Sequence, residues 1–100
     1  MIIYSVTVTV NETIRESWLA YMQKEHIPDV MNSGCFTKYL FTRVIGNSQE
    51  KENSFNIQYF CTAMADMHRY QVHFAPKLQK EHAEKFGEKA LAFRTLLEEI

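Results

Sequence analysis

Glycine, cysteine and long apolar runs are scarce in this chain of 100 residues, and each shortage excludes a class of protein. The three glycines, Gly34, Gly46 and Gly87, stand singly, so the chain has no glycine-rich loop that would cradle a phosphate. No apolar run approaches the roughly 18 residues that a membrane-spanning helix needs. Cys35 and Cys61 lack the CxxC spacing of a zinc or redox site. We expect both to be reduced in a cytoplasmic protein, with a disulfide as the alternative.

Charge is balanced along the chain. Eleven basic and twelve acidic residues give a net charge of -1 at neutral pH, and the two signs are interspersed. This pattern offers no basic face for phosphates, so we expect no nucleic-acid partner. The opening stretch MIIYSVTVTV has no positively charged region and alternates from Tyr4 onwards, which indicates a strand and not a secretion signal. We expect one packed domain, residues 1–100, that needs a partner subunit to cover part of it.

Four segments are predicted to be strands. The first three are rich in β-branched or aromatic residues, whereas the alanine, leucine and glutamate of the fourth would equally suit a helix. In the first, the valines Val6 and Val8 alternate with the threonines Thr7 and Thr9. The predicted strands are residues 2–10, 35–45, 54–61 and 89–100, and a polar loop at 46–53 joins the second and third in an antiparallel hairpin.

Apolar residues at helical spacing predict a first helix. They recur every three or four positions from Ile14 to Met22, behind Asn11, whose side chain suits a helix cap. We expect this helix to reach about Glu25 and to end before Pro28, because the residue before a proline avoids the α region.

A second helical pattern runs from Thr62, a plausible cap, to Phe86. Pro76 interrupts it and predicts either a kink or a break in which Pro76 opens a second helix in its first turn. Gly87 is the expected stop.

The resulting order, β-α-β-β-α-β, predicts an α+β fold of the ferredoxin-like type, with a four-stranded antiparallel sheet and both helices on one face. We expect the helices to cover the side that holds Val6, Val8, Ile57 and Phe93. The opposite side is then assigned mostly small, uncharged or apolar residues, namely Ile3, Ser5, Thr7, Thr9, Asn56, Gln58, Phe60, Ala90, Ala92, Arg94 and Leu96. Because such a face lacks long charged side chains, we expect a second copy of the chain to cover it in a homodimer.

Three stretches carry a resemblance to a known family: WLAYMQKEHIPDVMNSGCF, QYFCTAMADMHRYQVHFAPKL and EHAEKFGEKALAFRTLLE. They resemble a bacterial family of similar length that is known only as a domain of unknown function, and the likeness runs over nearly the whole chain. That family is grouped with dimeric α/β-barrel proteins, whose distant relatives include cofactor-free monooxygenases of polyketide metabolism, muconolactone isomerases and haem-degrading enzymes. The resemblance implies the fold and the dimer, and it implies no activity.

Two histidines, His26 and His73, are the candidate catalytic bases, because imidazole titrates near neutral pH. The alternative for His26 is a structural role, as a cap on the last carbonyl groups of the first helix. The alternative for His73 is a hydrogen-bonded residue in the packing. His68, His73 and His82 do not share one helical face and no HExxH pattern is present, so we expect neither a metal nor a cofactor.

Arg94 is the main candidate for binding a ligand, as a clamp for a carboxylate or a phenolate. Its alternative is an interface salt bridge or a hydrogen-bonded network with Asn56 and Gln58. The candidates for lining an aromatic ligand pocket are Trp18, Tyr59 and Tyr70, with ordinary core packing as their alternative.

Two functions follow from these residues. The first is a homodimer without catalytic activity that binds a small molecule or a partner protein. The second is a cofactor-independent monooxygenase or isomerase acting on a small aromatic or polyketide-like compound, with His26 or His73 as base and Arg94 or Tyr59 as orienting group. A cleft of about 300 Å³ or more in which a histidine and Arg94 converge would favour an enzyme or a ligand-binding site. A space filled by packed side chains would exclude the enzyme.

Overall fold

The computed structural model describes residues 1–46 and 53–100, and four strands form one antiparallel sheet. The strands are β1 (Ile2–Val10), β2 (Lys38–Arg43), β3 (Ser54–Cys61) and β4 (Ala90–Glu98). Their order across the sheet is β2-β3-β1-β4, so β3 fills the gap between β1 and β2. The predicted ferredoxin-like plan is therefore confirmed. The predicted loop 46–53 lies, apart from its two end residues, outside the described part of the chain.

The second strand is shorter than the predicted segment 35–45, because its first residues belong to a turn. Gly34 has a φ of +75°, and the Cys35 N–H donates to the Ser33 hydroxyl at 3.3 Å instead of joining the sheet. Cys35 and Phe36 are nevertheless buried. Cys35 and Cys61 are both free, buried thiols.

The first helical stretch is longer than predicted. It comprises a 3-10 turn (Glu12–Ile14), α1 (Arg15–Tyr21), a π turn (Met22–His26) and α2 (Ile27–Asn32). Asn11 caps it as expected, since its side chain accepts the Thr13 N–H at 2.9 Å. The predicted end before Pro28 is wrong, because Pro28 lies in the first turn of α2, where a missing N–H is tolerated. In the preceding π turn the Ile27 N–H bonds to the carbonyl of Met22, five residues back.

The second helical stretch is divided at Phe74, whose φ of -123° departs from helical values. Its parts are α3 (Met64–His73), α4 (Ala75–Phe86) and a closing 3-10 turn (Gly87–Lys89). Pro76 lies in the first turn of α4, so the second predicted alternative, a break, is the correct one. Gly87 ends α4 with a φ of +55°, whereas Ala63, not the expected Thr62, precedes α3. No described helix has the length and apolar content to cross a bilayer.

The helices pack on one face of the sheet and enclose the core with it. The buried residues of the sheet on that face are Ile2, Tyr4, Val8, Val10, Phe55, Ile57, Tyr59, Cys61 and Ala90. The helices contribute Trp18, Tyr21, Met22, Ile27, Val30, Met67, Tyr70, Ala75, Leu78 and Phe86. Trp18 lies at the centre of this core, with no exposed surface.

The two faces of β4 are the reverse of those predicted. In the register with β1, Val6 lies opposite Arg94 and Thr7 lies opposite Phe93. Residues that lie opposite each other share a face, so Arg94 lies on the helix side and Phe93 lies on the other side. The register starts from Ala90 opposite Val10, and a strand displaced by one residue reverses every side chain.

We call the side of the sheet without helices the open face. Its residues are Lys38, Leu40 and Thr42 of β2, Ser54, Asn56, Gln58 and Phe60 of β3, Ile3, Ser5, Thr7 and Thr9 of β1, and Leu91, Phe93, Thr95 and Leu97 of β4. Its polar groups bond within the sheet: the Asn56 amide donates to the Ser5 hydroxyl at 3.0 Å and to the Thr7 hydroxyl at 3.1 Å. Phe93 is 71% exposed and Leu91 is 63% exposed.

Candidate functional site

A small cavity lies between the sheet and the helices where β1 and β4 meet. It has two parts of about 30 Å³ each, which share Val6, Met22, His26, Gln79 and Arg94. The other lining residues are Tyr4, Val8, Ile57, Tyr59, Tyr70, His82 and Ala92. A buried water needs roughly 10–15 Å³, so each part accepts a water molecule or the charged end of a small ligand. We call this space the Arg94 cavity.

His26 reaches the Arg94 cavity from the π turn. Its Nδ1 atom is buried and has no hydrogen-bond partner among the described residues. Burial, followed by the neighbouring His82 and Arg94, lowers the pKa of His26 from 6.5 to about 4. The imidazole is therefore neutral at pH 7. The predicted role as a helix-end cap does not apply, because the helical stretch continues from His26 to Asn32.

His82 enters the same cavity from α4, and Trp18 holds it in one tautomer. The indole Nε1–H of Trp18 donates to Nε2 of His82 at 2.9 Å, so Nε2 carries no proton and Nδ1 does. Burial, and then Arg94, lowers the pKa of His82. The rings of His26 and His82 are 5.8 Å apart between centroids. Trp18 supports the site from the core and is not one of the lining residues, contrary to expectation.

Arg94 is the charged residue of the cavity, and no acidic side chain lies among the described residues that line it. It is exposed and makes no hydrogen bond or ion pair with any described residue. The predicted network with Asn56 and Gln58 is wrong, because those two residues lie on the open face and Arg94 lies on the other. The cavity therefore carries an uncompensated positive charge at its mouth.

Tyr59 and Tyr70 line the Arg94 cavity. Both are 2% exposed, and burial raises the pKa of each phenol. They therefore remain protonated and can donate a hydrogen bond at any physiological pH. Their rings are also core residues: Tyr70 packs against Phe36 at 5.0 Å and against Tyr4 at 5.8 Å between centroids.

His73 lies apart from this site. It is exposed at the end of α3 and lines a separate outer groove of about 280 Å³ with Asp29 and Glu81. The structure therefore does not bring His26 and His73 together. The part of the chain that the structure describes contains no cluster of three metal-binding side chains. A wider groove of about 520 Å³ lies between Leu19 and Phe41, and Arg43 is the one charged residue among its described lining residues.

Sequence reasoning missed the π turn and the part played by His82. The π turn had a signal, because the buried residues Met22 and Ile27 are five positions apart where a regular helix would repeat after three or four. That extra residue brings Ile27 and Val30 back to the buried side. The sequence signal for His82 was only its position on the apolar face of a helix, and that position is typical of a packing residue.

Proteins of known structure share this fold at low sequence identity. An ethyl tert-butyl ether D (EthD) family protein from Bacillus halodurans has a TM-score of 0.71 at 13% identity, and the match covers 100% of each chain. SnoaB, a cofactor-independent oxygenase from Streptomyces nogalater, has a TM-score of 0.68 at 13% identity, covering 98% of this chain and 91% of its own. A dimeric ferredoxin-like protein from an uncultured marine organism has a TM-score of 0.68 at 14% identity, covering 100% and 98%.

At such identities these likenesses establish the fold alone. No curated protein gives a significant sequence match. The family model described as "Domain of unknown function (DUF4286)" matches residues 1–100.

Proposed function

The chain belongs to the family of the domain of unknown function DUF4286, and on that premise we propose that it is a homodimer that binds a small anionic molecule in the Arg94 cavity. The observation that carries this proposal is the guanidinium of Arg94, which has no ion-pair partner among the described residues. It stands at the mouth of a cavity whose described lining contains no acidic residue, and neutral imidazoles and phenols lie around it. A carboxylate or phenolate complements one cation and several neutral donors.

The size of the cavity limits how the ligand binds. Each part measures about 30 Å³, against the 300 Å³ or more typical of a pocket that encloses a drug-sized ligand. The charged end therefore enters the cavity. The rest of the ligand lies at the mouth, where Gln79 and Arg94 are exposed.

The open face supports the homodimer. Lys38 is the one charged residue that the described strands place there, and the hydroxyls and amides bond to one another, so covering them leaves few polar groups unsatisfied. The four strands have 9, 6, 8 and 9 residues. At about 4.8 Å between strands and about 3.3 Å per residue they span about 500 Å², below the roughly 800 Å² that each partner buries in a standard interface but of the same order. Two solved neighbours with this fold are named dimeric ferredoxin-like proteins.

We also propose that the protein acts in the cytoplasm, and the two cysteines support this. Cys35 and Cys61 are free thiols in the core, as befits a reducing compartment. The balanced charge gives neither nucleic acid nor an anionic membrane surface a basic patch to bind.

Titration with three ligands of the same shape tests the binding site: 1-naphthoate, neutral 1-naphthalenemethanol and cationic 1-naphthylmethylamine. The wild-type protein should bind naphthoate in preference to the other two. Arg94→Leu should weaken naphthoate binding roughly ten- to a hundredfold, because a charge-assisted hydrogen bond contributes about 1.5–3 kcal/mol. Arg43→Leu removes an exposed strand arginine outside the cavity and should change the affinity less than twofold. Equal binding of the three ligands would contradict the proposal.

A second candidate is a cofactor-independent oxygenase or isomerase with His26 as the base. The observation in its favour is that a neutral imidazole and a guanidinium line one cavity, so a proton removed from the ligand by His26 would leave an enolate beside the exposed Arg94. Against it, a pKa of about 4 makes His26 a weak base at pH 7. Oxygen uptake with a panel of dihydroxynaphthalenes tests the oxygenase: uptake by the wild type that His26→Gln abolishes would support it, and equal uptake by the wild type and His26→Gln would exclude it.

A further inference from the structure

The fourth strand is exposed on both of its faces. Ala90 is buried, but every residue from Leu91 to Glu98 is exposed, whereas β1 and β3 have no exposed residue. β4 is also an edge strand, and β1 is the one described strand with which it pairs. The helices thus leave Arg94 and Leu96 uncovered on one side, and no residue within 1–46 or 53–100 covers Leu91 and Phe93 on the other.

Such a strand has little to hold it in an isolated protomer. A long edge strand with exposed apolar side chains lacks the buried contacts that protect a segment from local unfolding. Its ladder with β1 is therefore its main attachment. A second copy on the open face supplies buried contacts that β4 lacks, because it covers Leu91, Phe93 and Leu97.

The proposed anion-binding site, the Arg94 cavity, depends on the same strand. β4 contributes Arg94 and Ala92 to the cavity, and these two residues lie opposite Val6 and Val8 of β1. Phe93 lies between them in sequence and faces the opposite way, onto the open face. A contact that fixes Phe93 therefore also fixes the backbone that carries Arg94.

We propose that the second copy completes the anion site by ordering β4, so that dimerisation and ligand binding are thermodynamically coupled. This inference rests on the proposed function. The coupling is reciprocal. The factor by which dimerisation raises the ligand's affinity equals the factor by which the bound ligand raises the association constant of the two protomers. Coupling of this kind is typically about 5- to 150-fold.

The experiment compares Phe93→Glu with a control, Val72→Glu. Both changes place a carboxylate at an exposed apolar position, but Val72 lies on α3, away from the sheet. Light scattering gives the oligomeric state, amide hydrogen exchange gives the protection of β4, and titration gives the affinity for 1-naphthoate. We expect Phe93→Glu to be monomeric, its β4 amides to exchange at least tenfold faster than those of the control while β3 stays protected, and its naphthoate affinity to fall at least fivefold.

The inference is overturned if the Phe93→Glu monomer keeps both the β4 protection and the naphthoate affinity of the control, or if Phe93→Glu remains a dimer. If Phe93→Glu does not fold, wild-type protein diluted below its dimer dissociation constant provides the monomer for the same measurements. If wild-type protein binds no naphthoate, the proposed function fails by itself, and the exchange of β4 still decides whether the second copy orders it.

Discussion

Acidification is expected to destabilise this protein through His26 by about 3 kcal/mol between pH 7 and pH 4. The pKa of His26 is about 4 in the folded protein and 6.5 in the unfolded chain. As the pH falls, the unfolded chain takes up the proton first, so the stabilisation is complete above about pH 6.5 and is lost as the pH falls towards 4. The difference of about 2.5 pKa units, at about 1.4 kcal/mol per unit, gives the magnitude.

Urea unfolding at pH 7 and pH 4, with the protein concentration held fixed, measures this effect. His26→Gln removes the titrating group, and His68→Gln is the control, because His68 is an exposed histidine of α3. The other acid-sensitive groups act equally in all three proteins. The free energy of unfolding should therefore fall about 3 kcal/mol further in wild type and in His68→Gln than in His26→Gln.

The refuting result is a loss of unfolding free energy that is the same in His26→Gln as in the wild type. It would mean that His26 protonates in the folded protein as easily as in the unfolded chain. The buried, unpartnered Nδ1 would then have a proton acceptor or solvent beside it, and the account of a shielded, neutral imidazole would be wrong.

Three further substitutions are checked by urea unfolding. Trp18→Phe removes the donor to His82 and part of the core, and should cost at least about 2 kcal/mol; a smaller loss would mean that the hydrogen bond and the packing are dispensable. Gly87→Ala should cost about 1–3 kcal/mol through backbone strain alone, since an added Cβ meets no atom within 4 Å; an unchanged stability would contradict the left-handed conformation. Asn11→Ala should cost about 1 kcal/mol by removing the cap on Thr13, and no loss would show that the cap is not formed.

Much of the fold was predictable, because its signals are local. The alternation of valine and threonine marks β1 at the observed bounds, Ile2–Val10, and Gly87 marks the end of α4. The order of the elements then leaves few ways to connect them, and the observed sheet is the predicted one.

The face of β4 was not predictable in the same way. Leucine, phenylalanine and alanine occupy both sides of this strand, so the alternation does not say which side faces the core. The register is decided by the turn at Gly87–Lys89 and by the pairing of Ala90 with Val10. Both are features of the tertiary structure that the local sequence pattern does not show. The wrong assignment of faces put Arg94 on the open face in the prediction, whereas it lies on the helix side in the structure.

The site was predictable only in part, because it is assembled from distant segments. His26, Arg94, Tyr59 and Tyr70 were identified by residue type, and the structure places all four around one cavity. Their convergence depends on the π turn and on the register of β4. His82, the neighbour that makes the site a histidine pair, has no sequence feature that separates it from an ordinary packing residue.

The central claim is that a second copy of the chain covers the open face. Light scattering on the purified protein at micromolar concentration tests it most directly. We expect a mass of twice the 11.8 kDa of one chain, and a return to that single-chain mass when Phe93 is replaced by glutamate. A wild-type protein that has the mass of one chain would contradict it.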